Sequence, residues 1–479
     1  MSNSNPTSPT SPTSPTSPTS PTSLEALYVI WTDLKLDSTY LQQADLPEQG
    51  AGLPSSYAIG TAAQCSIGAA ALSAAAIYHL RTGKQQQVRV CRTAAEAECT
   101  AYFKLNGKTP DSWEKFSGLY ATRDGWVRIH ANFDHHRDGV LDLLNLPGAD
   151  QAEPDDVRNA LSGWGAEAFE NAAAERGLVV SMVRDFATWA QHPQHLASLH
   201  QPLVNITRIS DGPARKLQPL AGLERPLAGV RVLDLTRILA GPICGRTLAA
   251  YGADVMLLNS PQLPNIAAIT DTSRGKRSAH LDLKTAAGLQ TLRDLLHTSH
   301  VFVQGYRPGG LSDMGLAPAD LAKIRPGIIY VSLSAYGNYG PWAERRGFDS
   351  LVQTAAGFNH AEAAAAGSAT PKSMPVPILD YASGFLMAFG AQAALWRQLQ
   401  EGGSWHVEVS LLQTANWLRN LGRLQNGFSV PRIDVRKRLQ KFPCQEGELL
   451  ALPHAAEFSR TPATWVRPSA PPGTDLPSW

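Results

Sequence analysis

The segment from Pro226 to Asn259 constrains the fold more than any other stretch of the chain. Val230 to Leu235 is a short apolar run, Leu239 to Ile243 is a turn with Pro242 where a helix can begin, and Cys244 to Tyr251 is helical. Gly252 then stops the helix before Ala253 to Leu258 resumes as a strand. A strand–turn–helix–strand unit of this kind opens a nucleotide-type α/β domain. Here it begins almost halfway along 479 residues, so a large segment precedes what looks like a domain start.

The same rhythm continues downstream, with a strand at Val301 to Val303, a helix around Pro318 to Ile324 and a buried-type strand from Gly327 to Ser334. Upstream, Gly125 to His130 reads as a strand after the turn at Arg123-Asp124. The fold class expected is α/β, a Rossmann-like parallel sheet domain with a second, smaller α/β domain. Residues 1–23 are dominated by a Ser-Pro-Thr repeat without apolar mass to bury, and the expectation for them is a disordered tail. The remaining divisions fall at 24–225, 226–425 and 426–479.

Two segments align without gaps. Ala71 to Gly83 followed by Val88-Arg-Val matches the stretch from Gly390 to Gly402 followed by Val407-Glu-Val, both reading as helix, glycine turn and strand. A partial duplication of one structural unit accounts for this better than a solenoid.

Charge and cysteine content exclude several classes. A formal net charge of +1 gives no general pull toward nucleic acid or an anionic membrane, so any anionic ligand is held by local basic residues. Five cysteines without a C-x-x-C pair argue against a zinc site and a disulfide framework, and for a cytoplasmic location. No run of 18 apolar residues and no signal core is present, which fits a soluble protein. The cluster His130, Asp134, His135, His136 and Asp138 lacks convincing metal-ligand spacing, and no metal is expected.

Ligand clues follow the opening unit. Arg274, Lys276 and Arg277 surround one glycine before a strand, and Tyr306 and Arg307 sit in a turn after another, an arrangement suited to phosphates and to stacking an adenine. Neither G-x-G-x-x-G nor G-x-x-x-x-G-K-[ST] follows a strand, which removes the main support for redox-nucleotide and NTPase readings. Three carboxylates are candidates for chemistry: Asp349, Glu362 in an Ala-rich loop, and Asp380 at the head of a long apolar helix. An acid at a helix start is also an ordinary cap.

LAGVRVLDLTRILAGP, SRGKRSAHLDLK, GYRPGGLSDMGL and DYASGFLMAFGAQAALW, in that order, resemble the family III CoA-transferases, which include the α-methylacyl-CoA racemases. The first half is similar to later portions of that family, including Leu80-Arg-Thr-Gly and Trp189-Ala-Gln-His-Pro-Gln, so the segment order looks permuted. The resemblance implies an acyl-CoA:carboxylate CoA-transferase acting through an enzyme carboxylate and a mixed anhydride. It implies a coenzyme A thioester as substrate, no permanently bound cofactor, a carboxylic acid as second substrate and a homodimer. Asp380 matches the nucleophile, whereas Asp349 and Glu362 match no catalytic role. Ala240, Arg274, Lys276, Tyr306 and Arg307 match the CoA-binding positions. Leu257, Asn259, Ser260 and Asp313 depart from the family pattern at the CoA edge. Phe348 stands where racemases carry His, so an acyl-CoA racemase or isomerase with Asp380 as lone base is the alternative, beside a non-catalytic CoA-binding paralogue.

Overall fold

A computed structural model describes residues 20–479 apart from 112 and 221–223. Most of the 1–23 tail, and part of the link before Arg225, lie outside the described residues. The end of that stretch is already structured, since Thr22 caps the helix Ser23–Asp33 in a reciprocal pair with Glu25.

Seven strands form the large sheet: β1 Asn205–Ser210, β2 Arg231–Leu235, β3 Asp254–Asn259, β4 Lys276–His280, β5 Val301–Gln304, β6 Ile329–Ser334 and β7 Ser404–Ser410. Their order across the sheet is β4-β3-β2-β5-β6-β7-β1, and every pairing is parallel except that of β7 with β1. The chain winds outward one way from β2 and the other way from β5. The switch point between these two neighbours therefore opens a crevice beyond their carboxyl ends, where α/β sheets place ligands. The antiparallel edge strand β1 belongs to the 24–225 region, so that region completes the sheet of the next one.

Three helices matter for the site: α1 Ile59–Thr82, α2 Ala240–Ala250 and α3 Ile378–Glu401. Helix α2 starts at Ala240 rather than Cys244, because Pro242 lies in the first turn, where a missing N–H costs nothing. The two aligned segments have the same form. Helices α1 and α3 each run 24 residues, each ends at a glycine of positive φ (Gly83 at 70°, Gly402 at 72°), and each is followed by a strand. They pack on one another, with Gln392 Nε2 donating to the Ala70 carbonyl at 2.9 Å. Both are long and apolar enough to cross a membrane by length and composition, yet 100% and 94% of their apolar windows are buried inside the protein. Their hydropathy serves the core.

A smaller body stands beside the sheet. Strands Gly118–Ala121, Trp126–Ile129 and Val180–Met182 pair antiparallel, and Phe116, Val127, Ile129 and Phe169 give it a core of its own. The helix Asp134–Leu143 follows its second strand and carries Asp134, His135, His136 and Asp138. The C-terminal segment folds back on the first half: Ala456–Phe458 pairs with Val88–Val90, and Leu449–Ala451 with Phe103–Leu105. The regions 24–225 and 426–479 thus share two sheets.

Candidate active site

A cavity of about 390 Å³ occupies the crevice at the switch point. The turn after β2 supplies Arg237, Ile238, Leu239 and Ala240; the turn after β5 supplies Tyr306 and Arg307; Asp380 enters from the first turn of α3. The smaller body closes the remaining wall with Phe133, His135 and His136. Asp380 is the one carboxylate among the described residues that line the cavity. Tyr306 also borders a second cavity of about 180 Å³, lined by Leu258, Ser260, Leu281, Lys284 and Met314. Leu235, Leu263 and Tyr306 border both spaces.

Local backbone features place these side chains. Ile238 has φ of 76°, a left-handed conformation rare for a β-branched residue, and it lies where the chain bends from β2 into α2. Gly384 lets α3 approach α2, since a Cβ there would lie 2.5 Å from the Ala240 carbonyl oxygen. That close approach brings Asp380 alongside Ala240.

Asp349 lies behind Asp380, buried at 4% exposure. Its Oδ2 accepts the backbone N–H groups of Leu379 at 2.8 Å and of Asp380 at 3.1 Å, so it fixes the start of α3. Its Oδ1 accepts from Gln353, whose own Oε1 accepts the Met374 N–H. Burial pushes the Asp349 carboxyl up to about 7 against the pull of these donors and of Arg128. Burial and then the neighbouring Asp349 charge push Asp380 well above the usual carboxylate range. Asp380 faces the cavity; Asp349 is absent from its lining and supports the residue that does.

Two of the expected phosphate-binding cations are internal. Arg274 is 1% exposed, donates to the Asp271 carboxylate and the Leu452 carbonyl, and lies 4.0 Å from the Trp465 ring centroid. Lys276 is bound at 2.8 Å to both Asp234 and the Pro242 carbonyl, with neither charged side chain reaching solvent. The reason is topological. Lys276 opens β4 level with Val255 and Val232, so the loop before it lies at the amino end of a parallel strand, opposite to the crevice. Neither residue lines the cavity. Glu362 does not line it either: it lies in the helix Phe358–Ala365, fully buried, and accepts from Ser55 Oγ, Ser56 N and Ser56 Oγ. Tyr306, Arg307 and Ala240 do line it.

The cations that the sequence did not single out are Arg237, Arg345 and Arg346. Arg345 is partly spoken for, 3.8 Å from Glu170 and 4.2 Å from the Trp342 ring centroid. Arg237 bonds the Pro264 carbonyl, and Arg346 bonds His136 and the Gly177 carbonyl. Three arginines without an acidic partner among the described residues (Arg237, Arg307 and Arg346) thus share a wall with Asp380 alone, a surplus of positive charge suited to a polyanionic ligand. The adjacency of Arg345-Arg346 to Gly347-Phe348-Asp349 was the one available signal in the sequence.

A switch-point crevice with a surplus of arginines is consistent with the family-level comparison: residues 227–461 match the model of CoA-transferase family III. Over that stretch the chain is similar to CoA-transferase family III. The family region contains Asp380, Ala240, Tyr306, Arg307 and Arg346, while His135 and His136 come from outside it. An acyl-CoA transferase of Gibberella moniliformis is 32% identical over 62% of this chain and 55% of its own. A succinate–glutarate CoA-transferase of Agrobacterium fabrum is 33% identical over 39% of this chain and 51% of its own. The crystal structure of Rv3272 from Mycobacterium tuberculosis is 33% identical over 41% of this chain and 58% of that chain, at a TM-score of 0.38, too low for the overlay to support a conclusion. The chain spans about half the length of the curated relatives it matches.

Proposed function

We propose that the protein is an acyl-CoA:carboxylate CoA-transferase with Asp380 as its nucleophile. The observation that carries this reading is the position of Asp380, the single carboxylate among the described residues of an arginine-rich cavity at the sheet's switch point. The match of residues 227–461 to the family model and the transferase names of the chain's relatives support the same reaction class.

In this reading the thioester enters with its phosphates toward Arg307 and Arg237 and its adenine against Tyr306, which borders both cavities. The Asp380 carboxylate attacks the thioester carbonyl; the C–S bond breaks, CoA leaves as thiolate, and an aspartyl–acyl anhydride remains. An acceptor carboxylate attacks the aspartyl carbonyl and displaces the original acid. The thiolate then attacks the new acyl carbonyl, giving the product thioester and restoring Asp380. Asp349 holds the helix end throughout, so the nucleophile is presented in one orientation.

The test is thioester exchange: acyl-CoA and an isotope-labelled acid are incubated with the full chain, and labelled acyl-CoA is sought across a panel of acids. Exchange that falls by about a thousandfold or more in Asp380→Asn supports the reading. An Asp380→Asn variant that exchanges as fast as the unsubstituted protein would remove Asp380 from the chemistry.

A further inference from the structure

The smaller body meets the catalytic segment at a second place besides the cavity wall. In its strand Trp126–Ile129, Val127 and Ile129 turn into that body's own core, so Arg128 and the next residue but one, His130, face the other way. Both are only 7% exposed, and neither lines the cavity.

His130 grips the turn that contains Asp349 on both of its flanks. Its ring stacks on Phe348, with centroids 4.1 Å apart and planes at 17°, and its Nδ1 shares a hydrogen bond with Ser350 Oγ at 3.3 Å. Burial, with Arg128 and His136 beside it, pushes His130 down to about 3, so the ring packs on Phe348 in its neutral form.

Arg128 reaches Asp349 by another route. Its Nη1 donates to Ser373 Oγ at 2.7 Å; the adjacent Met374 N–H donates to Gln353 Oε1 at 3.1 Å, and Gln353 Nε2 donates to the Asp349 carboxylate. The Arg128 charge also favours the ionised form of Asp349. Just past the third strand of the smaller body, the Arg184 N–H donates to the Thr354 carbonyl in the helix that Asp349 opens. Both routes end on the carboxylate that takes the N–H groups of Leu379 and Asp380.

We propose that Arg128 and His130 are positioning residues for Asp380: the smaller body fixes the Asp349 turn, and Asp349 fixes the head of α3. This rests on the transferase reading, in which Asp380 must face the thioester carbonyl in one orientation. A displacement of about 1 Å in the turn would slow the attack by roughly ten- to a hundredfold. Both residues precede the stretch that matches the family, so the first half of the chain helps to set the rate of the reaction.

The experiment is rapid-quench mass spectrometry of the full chain at saturating acyl-CoA, over donors from acetyl-CoA to benzoyl-CoA. It reads the rate constant for acylation of Asp380 in folded molecules alone, and calorimetry reads CoA affinity. Arg128→Gln and His130→Ala are each expected to lower the rate constant by about tenfold or more and to leave CoA affinity within about threefold. Added to Asp349→Asn, the same substitutions are expected to lower it by less than about twofold, because they act through Asp349. Rate constants within about twofold of the unsubstituted protein in both single variants would overturn the proposal. So would losses that multiply in full in the Asp349→Asn background, or a CoA affinity that falls as far as the rate. If no donor acylates Asp380 in the unsubstituted protein, the transferase reading fails and the proposal with it; acylation at an unchanged rate in the variants removes the proposal alone.

Discussion

One carboxylate oxygen of Asp349 accepts the backbone N–H of Asp380 at 3.1 Å, so the two acids are tied at the head of the same helix. Charge on Asp349 holds the helix in place and also discourages ionisation of Asp380. A nucleophilic Asp380 must be ionised, and burial has raised its carboxyl. Activity is therefore expected to rise with pH, along a limb that lies above the usual carboxylate range.

Replacing Asp349 by Asn tests that coupling. Removing the neighbouring charge lowers the Asp380 carboxyl, so the rising limb of kcat/KM against pH should move to lower pH. The amide caps the helix less well than the carboxylate, and about 1 kcal/mol of stability should be lost, read by denaturant unfolding. A limb that stays where it was would show that the two carboxylates do not titrate together.

Lys276 and Arg307 should separate cleanly. Lys276→Ala leaves Asp234 buried without its ion-pair partner and is expected to cost about 3–5 kcal/mol of stability. Arg307→Ala, at an exposed turn on the cavity rim, should leave the melting temperature nearly unchanged and weaken CoA binding by about tenfold. The reverse pattern would return Lys276 to the ligand site.

Much of the fold was readable because buried strands and helices impose their periods on the chain. The strands of the unit at Pro226, the strands at Val301 and Ile329 and the helix at Pro318 fall within a residue or two of the expected places, while helix α2 begins four residues earlier than expected. Asp380 was readable for a related reason, since an acid that opens a long apolar helix is conspicuous. Arg274 and Lys276 misled because a charge run shows which residues are basic and not which end of a strand they occupy. Glu362 looked like a loop residue because alanine carries little amphipathic signal. Arg237 and His136 acquire meaning only when the smaller body closes on the sheet, a contact between segments about a hundred residues apart in sequence.

Glu362 tests a structural role. Its carboxylate gathers three donors from Ser55 and Ser56 around one oxygen, joining the first half to the family region. Glu362→Gln should lower stability by about 1–3 kcal/mol and leave the pH profile of the reaction in place. A selective loss of activity at full stability would restore Glu362 as a catalytic group.

Acid should loosen the contact between the chain's two ends. Burial alone would raise Glu98, but His454, Arg246 and the Ala455 N–H hold it down to about 2. A carboxyl depressed on folding adds stability that is fully present above its unfolded value near 4.5 and is lost as pH falls toward 2. Urea midpoints should fall across that window in the unsubstituted protein, and the part of the fall due to this group should vanish in Glu98→Gln.

The assignment of Asp380 as nucleophile is tested most directly by mass spectrometry of the full chain after incubation with acyl-CoA, with and without hydroxylamine. The expected result is an acyl- or CoA-bearing adduct on the peptide containing Asp380, converted by hydroxylamine to the aspartyl hydroxamate and absent from Asp380→Asn. An unmodified Asp380 in a preparation that is actively exchanging thioester would contradict the account.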